Sequence, residues 1–263
     1  MVIFRFFAMA AALLVALAGC SRTDMQQDGG PFLAREVMVD GATHRYQVFV
    51  PKRTEANGKP PVILFLHGSG ERGSDGVKPT LVGLGPYVRA HADAFPAIVV
   101  FPQAPDDQEW SDNAPLAFAA LDAATGEFGG DPARTYLTGI SMGGYGTWDL
   151  ALMQPQRFAA LVPVCGGIEP HPDRPTMAAR FVQGQADPFA AAAQRLRRTP
   201  VWIFHGAKDD AVPPEQSRRM AAALKVAGAS DARYTEFPDA NHNSWDPAYA
   251  TPELWIWLFA QRR

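Results

Sequence analysis

From residue 61 onward, short apolar runs alternate with stretches of helical period, and this alternation constrains the chain more than any other feature. The runs are PVILFLHG (61–68), AIVVFPQAP (97–105), RTYLTGIS (134–141), FAALVPVCGG (158–167) and PVWIFHGAKD (200–209), followed by the more polar RYTEFPDANH (233–242). Helical patterns lie between and after them at 115–128, 143–154, 214–227 and 252–262. Runs apolar on both faces suit strands covered from both sides, and strands joined through helices pair in parallel. Ahead of them, REVMV and HRYQVFVP flank Asp40-Gly41, a hairpin signal. The expected fold class is α/β, a mostly parallel twisted sheet with helices on both faces.

The 263 residues are long enough for a large core and short enough for one such domain. A net charge of -3 leaves no basic stripe, which excludes nucleic acid as an expected partner. Two cysteines make no disulfide framework, no metal-ligand spacing is present, and no metal or cofactor is expected. Cys165 lies in an apolar run and reads as a small core residue. The last helical stretch, PELWIWLFAQ, is apolar all round and is expected to dock on the sheet.

The first nineteen residues read as a signal peptide rather than part of the fold. Arg5 precedes thirteen apolar residues, Phe6 to Ala18, the length of a signal h-region and short for a bilayer span. The segment ends Leu17-Ala18-Gly19-Cys20, which resembles the lipobox of bacterial lipoproteins. That resemblance implies lipidation of Cys20 after cleavage before it, and a membrane partner through the anchor. Ser21 in the next position favours the outer membrane, facing periplasm or cell surface. Residues 20–33 are polar and non-periodic, a lipidated tether with a reach of about 20 Å. The folded domain is expected over 34–263.

Gly139, Ser141 and Gly143 spell G-x-S-x-G between an apolar run and a helical pattern, the form of a nucleophile elbow. So sharp a turn requires neighbours without Cβ atoms. A serine hydroxyl is a poor nucleophile until a histidine takes its proton and a carboxylate orients that histidine. Of the histidines after Ser141, His205 ends an apolar run, His171 lies in a proline-rich loop, and His242 follows the final strand. His242 is the expected base. HGAKDDAVPP supplies two adjacent carboxylates, and D-x-x-V-P spacing selects Asp209 over Asp210. Oxyanion donors are expected at the N–H of Met142 and of Ser69 in the LFLHGSGERG loop, with Gly70 the near alternative. Glu71 and Arg72 beside them either contact substrate or pair with each other.

These motifs, over about residues 35–263, resemble the α/β-hydrolase superfamily. The H-G-x-x-D-x-x-V-P element at His205–Pro213 is similar to the acid loop of carboxylesterases and acyl thioesterases. With QEWSDNAPL (108–116) and NHNSW (241–245), the chain looks like phospholipase/carboxylesterase-type and feruloyl-esterase-like secreted serine esterases. The resemblance implies hydrolysis of short-chain, aryl or carbohydrate-linked esters through an acyl-enzyme. Gly70, Trp110 and Trp245 are candidate substrate contacts, the tryptophans having core burial as the alternative. The segment 166–199 is longer than a crossover needs and is a candidate cap. Two other functions fit the same residues: a serine peptidase of prolyl-oligopeptidase type, less favoured without a propeller segment, and a non-catalytic envelope binding lipoprotein, which has no need of all three triad residues.

Overall fold

In the computed structural model, which describes residues 31–52 and 58–263, Asp40 and Gly41 turn the first hairpin with φ of 50° and 79°. Two successive positive φ values are what a two-residue type I′ hairpin requires. The turn joins β1 (Phe32–Val39) to β2 (Ala42–Phe49). Phe32 and Leu33 already pair with Phe49 and Val48, so the folded unit begins before residue 34. The remaining strands are β3 (Val62–Leu66), β4 (Ile98–Pro102), β5 (Thr135–Ile140), β6 (Ala160–Val164), β7 (Val201–Gly206) and β8 (Ala232–Phe237). They form one sheet in the order β1-β2-β4-β3-β5-β6-β7-β8. β1, β2 and β4 pair antiparallel, and every pair from β4 through β3 to β8 is parallel.

Alternate residues of the central strands feed two cores. In β3, Val62, Leu64 and Leu66 pack into one layer with α2 (Ala114–Glu127), α3 (Met142–Met153), α4 (Pro188–Leu196) and α5 (Glu215–Val226). Ile63 and Phe65 point the opposite way, toward α1 (Leu84–Ala90), α6 (Trp245–Tyr249) and α7 (Pro252–Ala260). This is the two-residue period of a pleated strand, and it explains why these runs are apolar throughout. The apolar α7 docks as expected: Leu254, Trp255, Trp257 and Leu258 are buried, while Ile256 is exposed on the outer face. Among the described residues, no helix is long and apolar enough to cross a membrane. Cys20 and the first nineteen residues, on which the signal and anchor expectations fall, lie outside the described residues.

The chain leaves β3 toward β4 on one side and returns to β5 on the other. The order therefore reverses between β3 and β5, where the loops after two parallel strands diverge and open a crevice. The serine elbow follows β5 and the glycine-rich loop follows β3, so both reach that crevice. The segment 166–199 divides in two. α4 packs against α3 and α5, started by the Asp187 side chain accepting the Ala190 N–H at 3.0 Å. Residues 168–182 form a low wall beside the crevice. Its ends are tied down where the Ile168 N–H donates to Gln216 Oε1 at 3.0 Å and Arg180 pairs with Asp112.

Candidate active site

Ser141 holds φ at 54° and ψ at -117° at the mouth of α3, a conformation L-residues seldom adopt without support. The support is close backbone packing. A Cβ on Gly143 would stand 1.9 Å from the Leu66 carbonyl oxygen, and one on Gly139 would stand 2.3 Å from the Gly143 carbonyl oxygen. Both flanking glycines are thus dictated by contact between α3, β5 and the end of β3. The turn lifts the Ser141 hydroxyl above the strand ends, where Oγ lies 2.9 Å from His242 Nε2.

His242 comes from the loop between β8 and α6, and its Nδ1 lies 2.8 Å from Asp209 Oδ2 and 3.0 Å from Oδ1. Asp209 sits on the turn after β7. Its Oδ1 accepts the Ala211 and Val212 N–H groups, each at 2.9 Å. Burial acts to raise the Asp209 carboxyl, but hydrogen bonds from His205, His242 and the Val212 N–H outweigh it and hold it well below the usual carboxylate range. An ionised carboxylate on Nδ1 fixes a proton there and leaves Nε2 free to accept one from Ser141. Asp210 is exposed and faces the cleft instead, so the adjacent pair divides as the D-x-x-V-P spacing selects.

His205 lies at the end of β7, in an apolar run that by itself assigns it no partner. It is fully buried, with Nε2 3.2 Å from Asp209 Oδ2 and 3.0 Å from the Val212 carbonyl oxygen. Two acceptors on one nitrogen require the proton there, and Nδ1 meets the Ser217 hydroxyl at 2.6 Å. The signal was present in the sequence as the four-residue spacing of His205 and Asp209.

The Met142 and Ser69 N–H groups each open a helical turn, α3 and the 3-10 turn Ser69–Glu71. Amides in that position have no partner within the turn and are free for an anion. Ser69, Gly70 and Ser141 line a common cleft of about 480 Å³. Trp245 forms part of its wall, its ring edge-on to His242 with centroids 5.5 Å apart. Trp110 does not reach the cleft: it is 1% exposed, its indole N–H donates to the His67 carbonyl at 3.0 Å, and it packs where Gly146 leaves room. A buried indole with a satisfied N–H is a core element, the alternative reading for this residue.

The charged pair beside Ser69 and Gly70 separates. Arg72 turns away to Glu109, with Nη2 2.8 Å from Oε1, and its Nε donates to the Gln108 carbonyl at 2.7 Å. Glu71 lines the cleft. His67 sits under the same loop, its Nδ1 2.6 Å from the Gly68 carbonyl oxygen and its Nε2 accepting the Ala104 N–H at 3.0 Å. Those partners fit only the neutral ring, and burial pushes its pKa down to about 4. The wall at His171, Asp173, Arg174 and Met177 also borders the cleft. The sequence marked the segment by its length but gave no sign of which residues face inward. Cys165 is fully buried beneath the triad, where burial pushes its thiol up. Its sulfur lies within 4.8 Å of donor atoms of Asp209 and His242, but those two groups are already committed to each other.

Sheet order, strained serine and charge-oriented histidine at the strand ends define an α/β-hydrolase with the site of a serine hydrolase. The prolyl oligopeptidase family model matches residues 115–258, more than half of the chain, and the chain belongs to that family. It is 29% identical over 225 residues to an uncharacterized secreted protein of Arthroderma benhamiae, covering 78% of this chain and 24% of that one. A thermostable esterase of known structure shares 31% identity at a TM-score of 0.72, covering 89% of this chain and 64% of that one. The acylaminoacyl peptidase of Pyrococcus horikoshii aligns at a TM-score of 0.65 with 18% identity, over 88% of this chain and 42% of that one. The chain thus spans about a quarter of the Arthroderma protein and less than two thirds of either enzyme.

Proposed function

We propose that the protein is a carboxylic ester hydrolase that works through an acyl-enzyme on short-chain, aryl or carbohydrate-linked esters. The observation that carries this reading is the 2.9 Å approach of Ser141 Oγ to His242 Nε2 on the floor of an open cleft. Ser141 Oγ attacks the ester carbonyl while its proton passes to His242 Nε2, and Asp209 stabilises the resulting imidazolium. The Met142 and Ser69 amides receive the oxyanion, a service worth about 10²–10³ in rate per donor. His242 then gives the proton to the departing alcohol. Water repeats the sequence on the acyl-serine and releases the acid.

Short loops and polar side chains around a cleft of about 480 Å³ suit a compact, oriented substrate over a long alkyl chain. The likeness to a thermostable esterase supports an ester over an amide. A panel of p-nitrophenyl esters from C4 to C16 set against peptide anilides tests the reading. It expects the C4 ester to lead; faster turnover of anilides, or kcat/KM climbing steadily to C16, contradicts it.

The Leu17-Ala18-Gly19-Cys20 sequence supports a lipid anchor on Cys20 that holds the enzyme in a bacterial envelope, the outer membrane favoured. A Cys20→Ala protein is then expected to leave the membrane fraction, and its retention there contradicts the anchor.

A further inference from the structure

The cleft contains one carboxylate that the triad does not use and that lies next to the nucleophile. Glu71 Oε2 stands 3.1 Å, and Ser141 Cβ 3.7 Å, from the position a Cβ on Gly68 would occupy. The two side chains therefore flank the same backbone unit. The adjacent Arg72 is engaged with Glu109, and Lys78 is shared with Asp75 at 3.8 Å. The main chain of Glu71 is fixed independently of its carboxylate, since Gln103 Nε2 donates to its carbonyl at 2.9 Å. Burial pushes the carboxyl up from its usual range, against the pull of the Gly68 and Glu71 N–H groups and of Lys78.

A negative charge in that place opposes the reaction as drawn so far. It repels the oxyanion forming on the same loop, and like charges at short range in a partly desolvated cleft are costly. The cost is offset when the substrate brings a donor or a positive charge to the carboxylate. The rest of the cleft has the same bias, since Asp173 and Asp210 line it against a single Arg174.

We propose that Glu71 is a specificity-determining residue that favours esters bringing a hydroxyl or a positive charge beside the reacting carbonyl and rejects those bringing a carboxylate. The proposal rests on the ester-hydrolase reading above and narrows its substrate class.

The test measures kcat/KM for four butyrate esters, of 3,3-dimethylbutanol, choline, glycerol and glycolate. The first two share a shape and differ in charge, the third supplies hydroxyls, and the fourth supplies an anion. The wild type is expected to prefer the choline or the glycerol ester to the neutral one by about tenfold or more, the scale of one charge-assisted contact, and to disfavour the glycolate ester similarly. Preference for choline alone assigns charge as the signal, and preference for glycerol alone assigns the hydroxyl. In Glu71→Gln these ratios are expected to fall to within about threefold of unity, while Glu71→Asp, which keeps the charge, retains them. Ratios unchanged in Glu71→Gln, or an equal loss on all four esters, would overturn the proposal and leave Glu71 a loop anchor. Hydrolysis of none of the four by the wild type overturns the ester reading itself, and this inference with it.

Discussion

Asp209 is held by two histidines at once: His205 Nε2 lies 3.2 Å from the same Oδ2 that His242 Nδ1 reaches at 2.8 Å. His242 is thus oriented by a carboxylate that is itself locked from behind. The lock is buried, and Ser217 and the Val212 carbonyl complete it. Replacing His205 by Phe leaves both of those partners, and one Asp209 lone pair, without a donor or acceptor. The expected cost is about 1–3 kcal/mol in stability, read from urea unfolding, together with a fall in kcat that His205→Gln partly restores.

The division of labour between the adjacent aspartates follows from where each points. Removing a triad carboxylate leaves the histidine in the wrong tautomer, so Asp209→Asn is expected to lose about 10³–10⁴ in kcat. Asp210→Asn alters only a cleft-facing charge and is expected to stay within about tenfold of wild type. Steady-state kinetics of both variants on one neutral ester decide between them, and the reverse order of losses moves the orienting role to Asp210.

Acid lability is expected to begin beneath the oxyanion loop. The His67 ring is fully buried and neutral, with its pKa lowered from an ordinary 6.5 to about 4. Between those values the unfolded chain binds a proton that the folded chain refuses. The stabilisation is therefore complete above pH 6.5 and is lost as pH falls toward 4, about 3 kcal/mol in all. Urea midpoints measured across that window should fall less steeply in His67→Gln, whose amide can both donate and accept in place of the ring.

The Arg72–Glu109 pair ties the same loop to the segment that precedes α2, and both side chains are largely shielded from solvent. Arg72→Met strands a buried carboxylate and is expected to cost about 3 kcal/mol. Arg72→Met with Glu109→Leu removes both charges and is expected to recover most of that loss. Unfolding midpoints of the two single variants and the double variant measure the coupling.

The parts of this site that were legible in the sequence are those fixed by local geometry. Gly139 and Gly143 are obligatory because backbone occupies the space of a side chain. The order Ser141, Asp209, His242 could be read because each residue follows a strand run. The central strands β3 to β7 were equally plain, since burial on both faces leaves an unbroken apolar stretch, whereas β1 and β2 showed through the Asp40-Gly41 turn between them and β8 is a more polar edge strand. Three helices were not. α1 and α6 are short, and α4, PFAAAAQRL, has only nine residues, its buried stripe of Phe189, Ala192, Ala193 and Leu196 resting half on alanine, although Asp187 and Pro188 gave it a proper start. Long-range partners were out of reach for a different reason. Arg72 meets Glu109 and not its neighbour Glu71, and the wall at 168–182 owes its path to Gln216 and Asp112. No sequence period encodes such contacts.

The central claim is that Ser141 is activated by His242 and exposed to substrate. A fluorophosphonate probe reacts with such a serine and leaves a phosphonyl adduct whose position peptide mass spectrometry assigns. One adduct is expected, on Ser141, absent from Ser141→Ala and slowed by about 10³-fold or more in His242→Ala. An unlabelled wild type, or an adduct on any other residue, would contradict the account.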